Sequence, residues 1–93
     1  MSSLQPIIGL GPAARTEGQE PMSAHGQSFV LQEWSGSGPP YLHVHHADDE
    51  AWHILEGTLT FTFLDRTVEA PAGTTVFVPA GVAHTYFDLL PIP

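Results

Sequence analysis

Three histidines and one glutamate set the chemistry open to this chain. His43 and His45 lie two residues apart, Glu50 follows closely, and His84 comes later. They sit in two stretches, GPPYLHVHHADDEAWHILEG (Gly38 to Gly57) and GTTVFVPAGVAHTYFD (Gly73 to Asp88). Imidazole nitrogens and a carboxylate oxygen together suit a divalent transition metal: Mn, Fe, Ni, Co, Cu or Zn. The chain has no cysteine, which excludes disulfides, thiolate zinc sites and cysteine nucleophiles. Four protein ligands around an octahedral ion leave positions open for a small molecule.

Strands must position these groups. Side chains two apart share one face of a strand, so His43 and His45 point the same way and Val44 the other. Tyr86 and Asp88 share the parity of His84, Trp52 and Ile54 that of Glu50, and Tyr41 that of His43. Trp52 and Tyr86, with Tyr41 third, are therefore expected to wall a cavity beside the ligands. Glu50, as ligand or proton acceptor, and Tyr86, through its hydroxyl, are the candidate catalytic residues. His46 and His53 have the opposite parity and read as surface positions, and His25 as solvated.

Along the chain, residues 1–27 form an arm rich in Gly, Pro and Ser with no clean period, carrying one short expected strand at Gln5–Leu10. Residues 28–93 form the single domain that 93 residues allow. Strands are expected at Ser28–Trp34, Tyr41–His46, Glu50–Glu56, Thr58–Leu64, Thr67–Ala70, Thr74–Val78 and Val82–Leu89. Breakers separate them: SGSGPP, Ala47-Asp48-Asp49, Gly57, Asp65-Arg66, Pro71-Ala72-Gly73 and Pro79-Ala80-Gly81. The run TLTFTFL alternates Thr with Leu and Phe. Short strands at this spacing, without helical period, give an all-β sandwich or barrel.

The two stretches resemble the two motifs of the cupins. The first cupin motif, G-(x)5-H-x-H-(x)3-4-E-(x)6-G, is matched by Gly38, His43, His45, Glu50 and Gly57, with one residue fewer after Gly38. The second, G-(x)5-P-x-G-(x)2-H-(x)3-N, is matched by Gly73, Pro79, Gly81 and His84, with Asp88 in place of the Asn. The 15 residues between Gly57 and Gly73 match the short spacer of small microbial cupins. The resemblance implies a jelly-roll β-barrel of about six to eight strands. It implies a central metal held by His43, His45, Glu50 and His84, with Gly57, Gly73, Gly81 and Pro79 as turn residues that aim them. Cupins usually continue for two or more strands past the second motif, whereas this chain stops at Pro93. The barrel is then incomplete at the C-terminus, unless the arm or a partner subunit covers the gap. Unpaired edges are avoided in natural proteins, which points to a homodimer.

Composition narrows the partners. Ten acidic residues against two arginines give a formal charge of −8, which argues against nucleic acid and anionic membrane surfaces. The amino-terminal stretch lacks the basic start and unbroken apolar run of a secretory signal, so a cytoplasmic location is expected. No triad, P-loop or dinucleotide fingerprint appears. The resemblance implies, as the leading expectation, a metal-dependent enzyme of oxidoreductase, dioxygenase-like type acting on a small organic molecule. Isomerase or lyase chemistry fits the same ligands, and the other class of function is a non-catalytic binding or sensor module.

Overall fold

The structure is a computed structural model that describes residues 5–88. Two compact units divide between Trp34 and Ser35.

The first unit is built around a hairpin. β1 (Ser23–His25) pairs antiparallel with β2 (Val30–Gln32) in the register Ala24 to Leu31. Gly26 N–H donates to Phe29 O at the turn (2.9 Å), and Glu33 N–H to Met22 O at the open end (2.8 Å). Gln5–Leu10, expected to be a strand, has no regular structure, and a short 3-10 turn follows at Pro12–Ala14. Arg15 clasps Glu33 through two bonds of 2.6 and 2.7 Å and donates to Leu10 O at 3.0 Å. This fork-to-fork pair is the geometry in which guanidinium and carboxylate bind best.

The second unit is a pair of facing sheets. β3 (Glu50–His53) pairs antiparallel with β6 (Thr75–Val78), Glu50 opposite Val78 and Trp52 opposite Val76. The other sheet has the order β5-β4-β7, with β4 (Thr58–Phe63) between β5 (Thr67–Pro71) and β7 (His84–Asp88). Among the described residues neither sheet closes on itself. The Thr/Phe alternation sets the facing of β4: Phe61 lies opposite Tyr86 and Val68, and Phe63 opposite His84. Directly opposed residues share a face, so His84 and Tyr86 point with the phenylalanines into the gap between the sheets.

Trp52 from the facing sheet fills that gap, its ring centroid 5.2 Å from Phe61 and 5.5 Å from Tyr86. With Ile54, Ala70 and Val78 these residues form the core. Burying a side chain of this size contributes about 1.5–3 kcal/mol.

Several strands are shorter than expected, and one is barely a strand. Ser28–Trp34 shrinks to Val30–Gln32, Thr74–Val78 starts at Thr75, and Val82–Leu89 starts at His84. Glu50–Glu56 ends at His53 and Thr58–Leu64 at Phe63. Tyr41–His46 reduces to one bridge, His43 with His84, made by two 2.9 Å backbone bonds. Pro39 and Pro40 precede it and bends at His46 and Ala47 follow it, so no longer ladder forms. Leu89, the expected end of the last strand, lies outside the described residues.

The Arg15 clasp yields a pH dependence. Hydrogen bonding and then the charge of Arg15 hold the Glu33 carboxyl below its usual value of 4.5. A depressed carboxyl stabilises the fold above its unfolded value and loses that effect as pH falls through the folded value. Glu33→Gln should lower the melting temperature at neutral pH, and the difference from wild type should vanish once the solution is acid enough to protonate Glu33 in the folded chain.

Candidate metal centre

His84 anchors the site. It opens β7 after the turn Pro79-Ala80-Gly81, where Gly81 has φ of 89°, a conformation that a side chain at that position would resist. The ring is 1% exposed. Its Nδ1 lies 2.9 Å from Val82 O. A carbonyl only accepts, so Nδ1 carries the proton and donates it, and the lone pair of the neutral ring sits on Nε2.

The other three groups meet that lone pair. The bridge brings His43 beside His84, ring centroids 4.3 Å apart. His45 follows, its carbonyl accepting from Gly81 N–H at 2.8 Å, and its side chain is the most open of the four at 43% exposure. Glu50 starts β3 on the same inward face as Trp52. Its Oε1 lies 2.9 Å from His45 Nε2 and 3.0 Å from His84 Nε2. A second tie, from Ala80 N–H to Asp49 Oδ1 at 2.8 Å, fastens the turn before His84 to the residue before Glu50.

The close approach of Glu50 to His84 is not a hydrogen bond. Glu50 Oε1 and His84 Nε2 are both buried, and neither has a hydrogen-bond partner of acceptable geometry. In the neutral ring that proton on Nδ1 leaves two acceptors facing each other at 3.0 Å. Buried polar atoms are rarely left so, and a cation between them turns the repulsion into two favourable contacts. One ligand atom from each of His43, His45, Glu50 and His84 lies within 4.8 Å of the others. Metal bonds of about 2.1 Å place ligand atoms up to about 4.2 Å apart across the ion, so shifts of tenths of an ångström suffice. The residues present fit a metal.

A family profile described as a cupin domain matches residues 29–88. The chain belongs to the cupins. An uncharacterized protein of Streptomyces coelicolor is 36% identical over 44 residues, which cover 47% of this cupin and 42% of that protein. The chain therefore matches less than half the length of that relative. A crystal structure of a cupin-2 domain containing protein from Shewanella frigidimarina superposes with a TM-score of 0.61 at 24% identity, covering 82% of this chain and 76% of the other. That likeness speaks for the fold.

The aromatic residues divide. Tyr86 and Trp52 point inward as their parity requires, and the Trp52 ring lies 5.6 Å from His84. At 5% exposure Trp52 belongs to the core as much as to any wall. Tyr41, expected to be a third wall residue, is 65% exposed and lies outside the aromatic cluster. His53 is exposed on the outer face of β3, its Nδ1 2.7 Å from Thr75 Oγ1, and His46 is exposed too. A depression of about 400 Å³ in the first unit is lined by Ile8, Leu10, Arg15, Gln19 and Glu20 and includes none of the four ligand candidates.

Sequence reasoning placed Gly38 only as the glycine that opens the first motif. Gly38 N–H donates to Tyr86 O at 3.0 Å. A Cβ there would lie 2.6 Å from Tyr86 Cε1. Ser37 Oγ accepts from Asp88 N–H at 3.0 Å, and Thr85 Oγ1 donates to Pro39 O. The loop before His43 is thus laced along β7, and only glycine lets it pass over the Tyr86 ring. The hint in the sequence was the glycine opening the first motif, but its reason is tertiary.

Gly38→Ala should cost about 1–3 kcal/mol, the usual effect of overpacking. The cost should shrink in a Tyr86→Leu background, where the clashing ring edge is gone. Chemical denaturation of the four proteins of this double-mutant cycle measures the coupling.

Proposed function

We propose that this cupin binds one divalent transition metal through His43, His45, Glu50 and His84, and that it is a metal-dependent enzyme of dioxygenase-like type acting on a small organic molecule. The observation that carries the reading is the pair of buried atoms, Glu50 Oε1 and His84 Nε2, 3.0 Å apart and neither with a hydrogen-bond partner. When bound, the metal supplies Lewis acidity and open coordination positions for a chelating substrate. The chain's own residues do the rest. Val82 O holds the His84 tautomer, an orienting role that such partners commonly play toward ligating histidines. Glu50, 29% exposed, is placed to take a proton from a bound molecule as well as to ligate. Trp52 and the inward edge of Tyr86 offer an apolar surface beside the histidines, and Tyr86 adds a hydroxyl for orientation. The approach for a substrate is from the His45 side, the most open of the four. Among the described residues no helix is long and apolar enough to cross a membrane. A cytoplasmic location belongs to the same reading and rests on the sequence.

A second reading is a non-catalytic binding or sensor module with a structural or ligand-anchoring metal. It is favoured by the burial of Trp52, which closes the aromatic side of the site.

Metal analysis of purified wild type should give one ion per chain, and His45→Ala should lose far more than the tenfold to hundredfold in affinity that removal of an outer-shell partner costs. Equal stoichiometry and affinity in the two proteins would refute the site. Protonated imidazole does not ligate, so affinity should also fall on acidification.

Oxygen uptake by the metal-loaded protein with a panel of small chelating organic acids, enols and phenols then separates the two functional readings. Turnover that Tyr86→Phe alters at unchanged metal content supports the enzyme. Tight binding of a panel member without turnover supports the module.

A further inference from the structure

The sheet that carries Glu50 ends abruptly, and the reason lies in one residue. β3 begins at Glu50, which pairs with Val78, the last residue of β6. One step further the ladder would join Asp49 to Pro79. Proline has no N–H to donate, so the ladder stops there. The chain then runs unpaired from Val78 to His84. It leaves opposite one ligand candidate, Glu50, and arrives at another.

Asp49 supplies the missing acceptor. Its Oδ1 accepts from Ala80 N–H at 2.8 Å, across 31 positions of sequence. The next amide, Gly81 N–H, donates to His45 O at 2.8 Å, and Val82 N–H donates to Pro79 O at 3.2 Å, closing the turn. Two successive amides of the turn before His84 are thus held by the segment that carries His45 and Glu50. The first of these bonds is made by a side chain, so a substitution can remove it without touching the backbone. In the sequence Asp48 and Asp49 read alike, as residues of one turn. The structure separates them.

In a chain of formal charge −8, the plainest role for an acidic turn residue is a solvated carboxylate. Asp49 does more, because its bond fixes the residue next to Glu50 against the turn that delivers His84. Glu50 Oε1 and His84 Nε2 stand 3.0 Å apart without a hydrogen bond. An ion between them needs both groups held while they part by tenths of an ångström. The Asp49 bond is exposed, so water can replace the carboxylate at the amide. The fold then survives the loss of Asp49, and the fixed spacing does not.

We propose that Asp49 is a positioning residue for the metal centre: its bond to Ala80 N–H sets the spacing of Glu50 and His84 at which an ion is held. The inference rests on the metal reading above. It concerns the geometry of the bond and not the charge of the carboxylate.

Binding of Mn2+ and Co2+ to the full chain, measured by competition with a chelator, tests it. Asp49→Ala should weaken binding about tenfold to hundredfold, the usual cost of removing a partner outside the ligands. It should also shift the Co2+ absorption bands, which follow ligand geometry. The metal-free melting temperature should change by less than about 5 °C, the scale of one exposed hydrogen bond in so small a domain. Asp49→Asn keeps an oxygen acceptor without the charge and should restore both affinity and spectrum. Asp48→Ala removes the same charge from the neighbouring exposed residue and should behave as wild type. Should Asp49→Ala fail to fold, an ester in place of the Ala80 amide removes the same N–H, leaves every side chain in place and should show the same loss of affinity. Wild-type affinity in Asp49→Ala, or in the ester chain where it stands in, would overturn the proposal. So would an Asp49→Asn or Asp48→Ala chain as weak as Asp49→Ala, which would make the effect one of charge. A fall in metal-free melting temperature far above that figure would mark a general structural role and overturn it too. A wild-type chain that binds neither ion would instead overturn the metal reading itself, and the proposal with it.

Discussion

A buried histidine governs the second unit. His84 lies at 1% exposure between two sheets, against Trp52 and opposite Phe63. Such a ring is tolerated in an apolar interior only when both nitrogens have partners. One is served by Val82 O. The other faces Glu50 Oε1 at 3.0 Å without a hydrogen bond. The sheets are in place around this unresolved contact, which makes the site a demand of the fold as well as a collection of ligand types.

The backbone around His84 is arranged to hold that contact still. The His43 bridge fixes the first imidazole on one side of β7. Gly81 N–H to His45 O and Ala80 N–H to Asp49 Oδ1 tie the turn before His84 to the segment carrying His45 and Glu50. The loop from Ser37 to Pro39 is stitched to Thr85, Tyr86 and Asp88. These bonds do in a loop what a ladder does in a strand. They explain how His43 and His45 converge although their segment is an isolated bridge. Groups on loops pinned at several points keep the geometry that metal ligation needs, while His45 stays open to solvent.

Membership of the cupins speaks for the architecture and says less about the reaction. One fold carries many chemistries, and the function resides in the particular groups around the site. Here those groups are an open His45, a carboxylate with access to solvent, and a tyrosine pressed between Gly38 and the core.

Much of this was legible in the chain itself. The Thr/Phe alternation of residues 58–63 determined which face of β4 is buried, because side-chain direction in a strand has a period of two. The same parity placed His84 with Tyr86 and Glu50 with Trp52. The spacing of glycines and prolines located the turns, since backbone with positive φ at Gly57, Gly73 and Gly81 excludes most other residues. Tertiary structure decided what depends on partners distant in sequence. Tyr41 points away because its segment joins β7 through one bridge and two prolines bar a longer ladder, so parity counted from His43 does not carry back to it. Gly38 matters because Tyr86, 48 residues later, occupies the space its side chain would need. The opposition of Glu50 to His84 arises only when two sheets bring their inner faces together: the sequence by itself supplied the four ligand types, and the packing decided that two of them meet as acceptors.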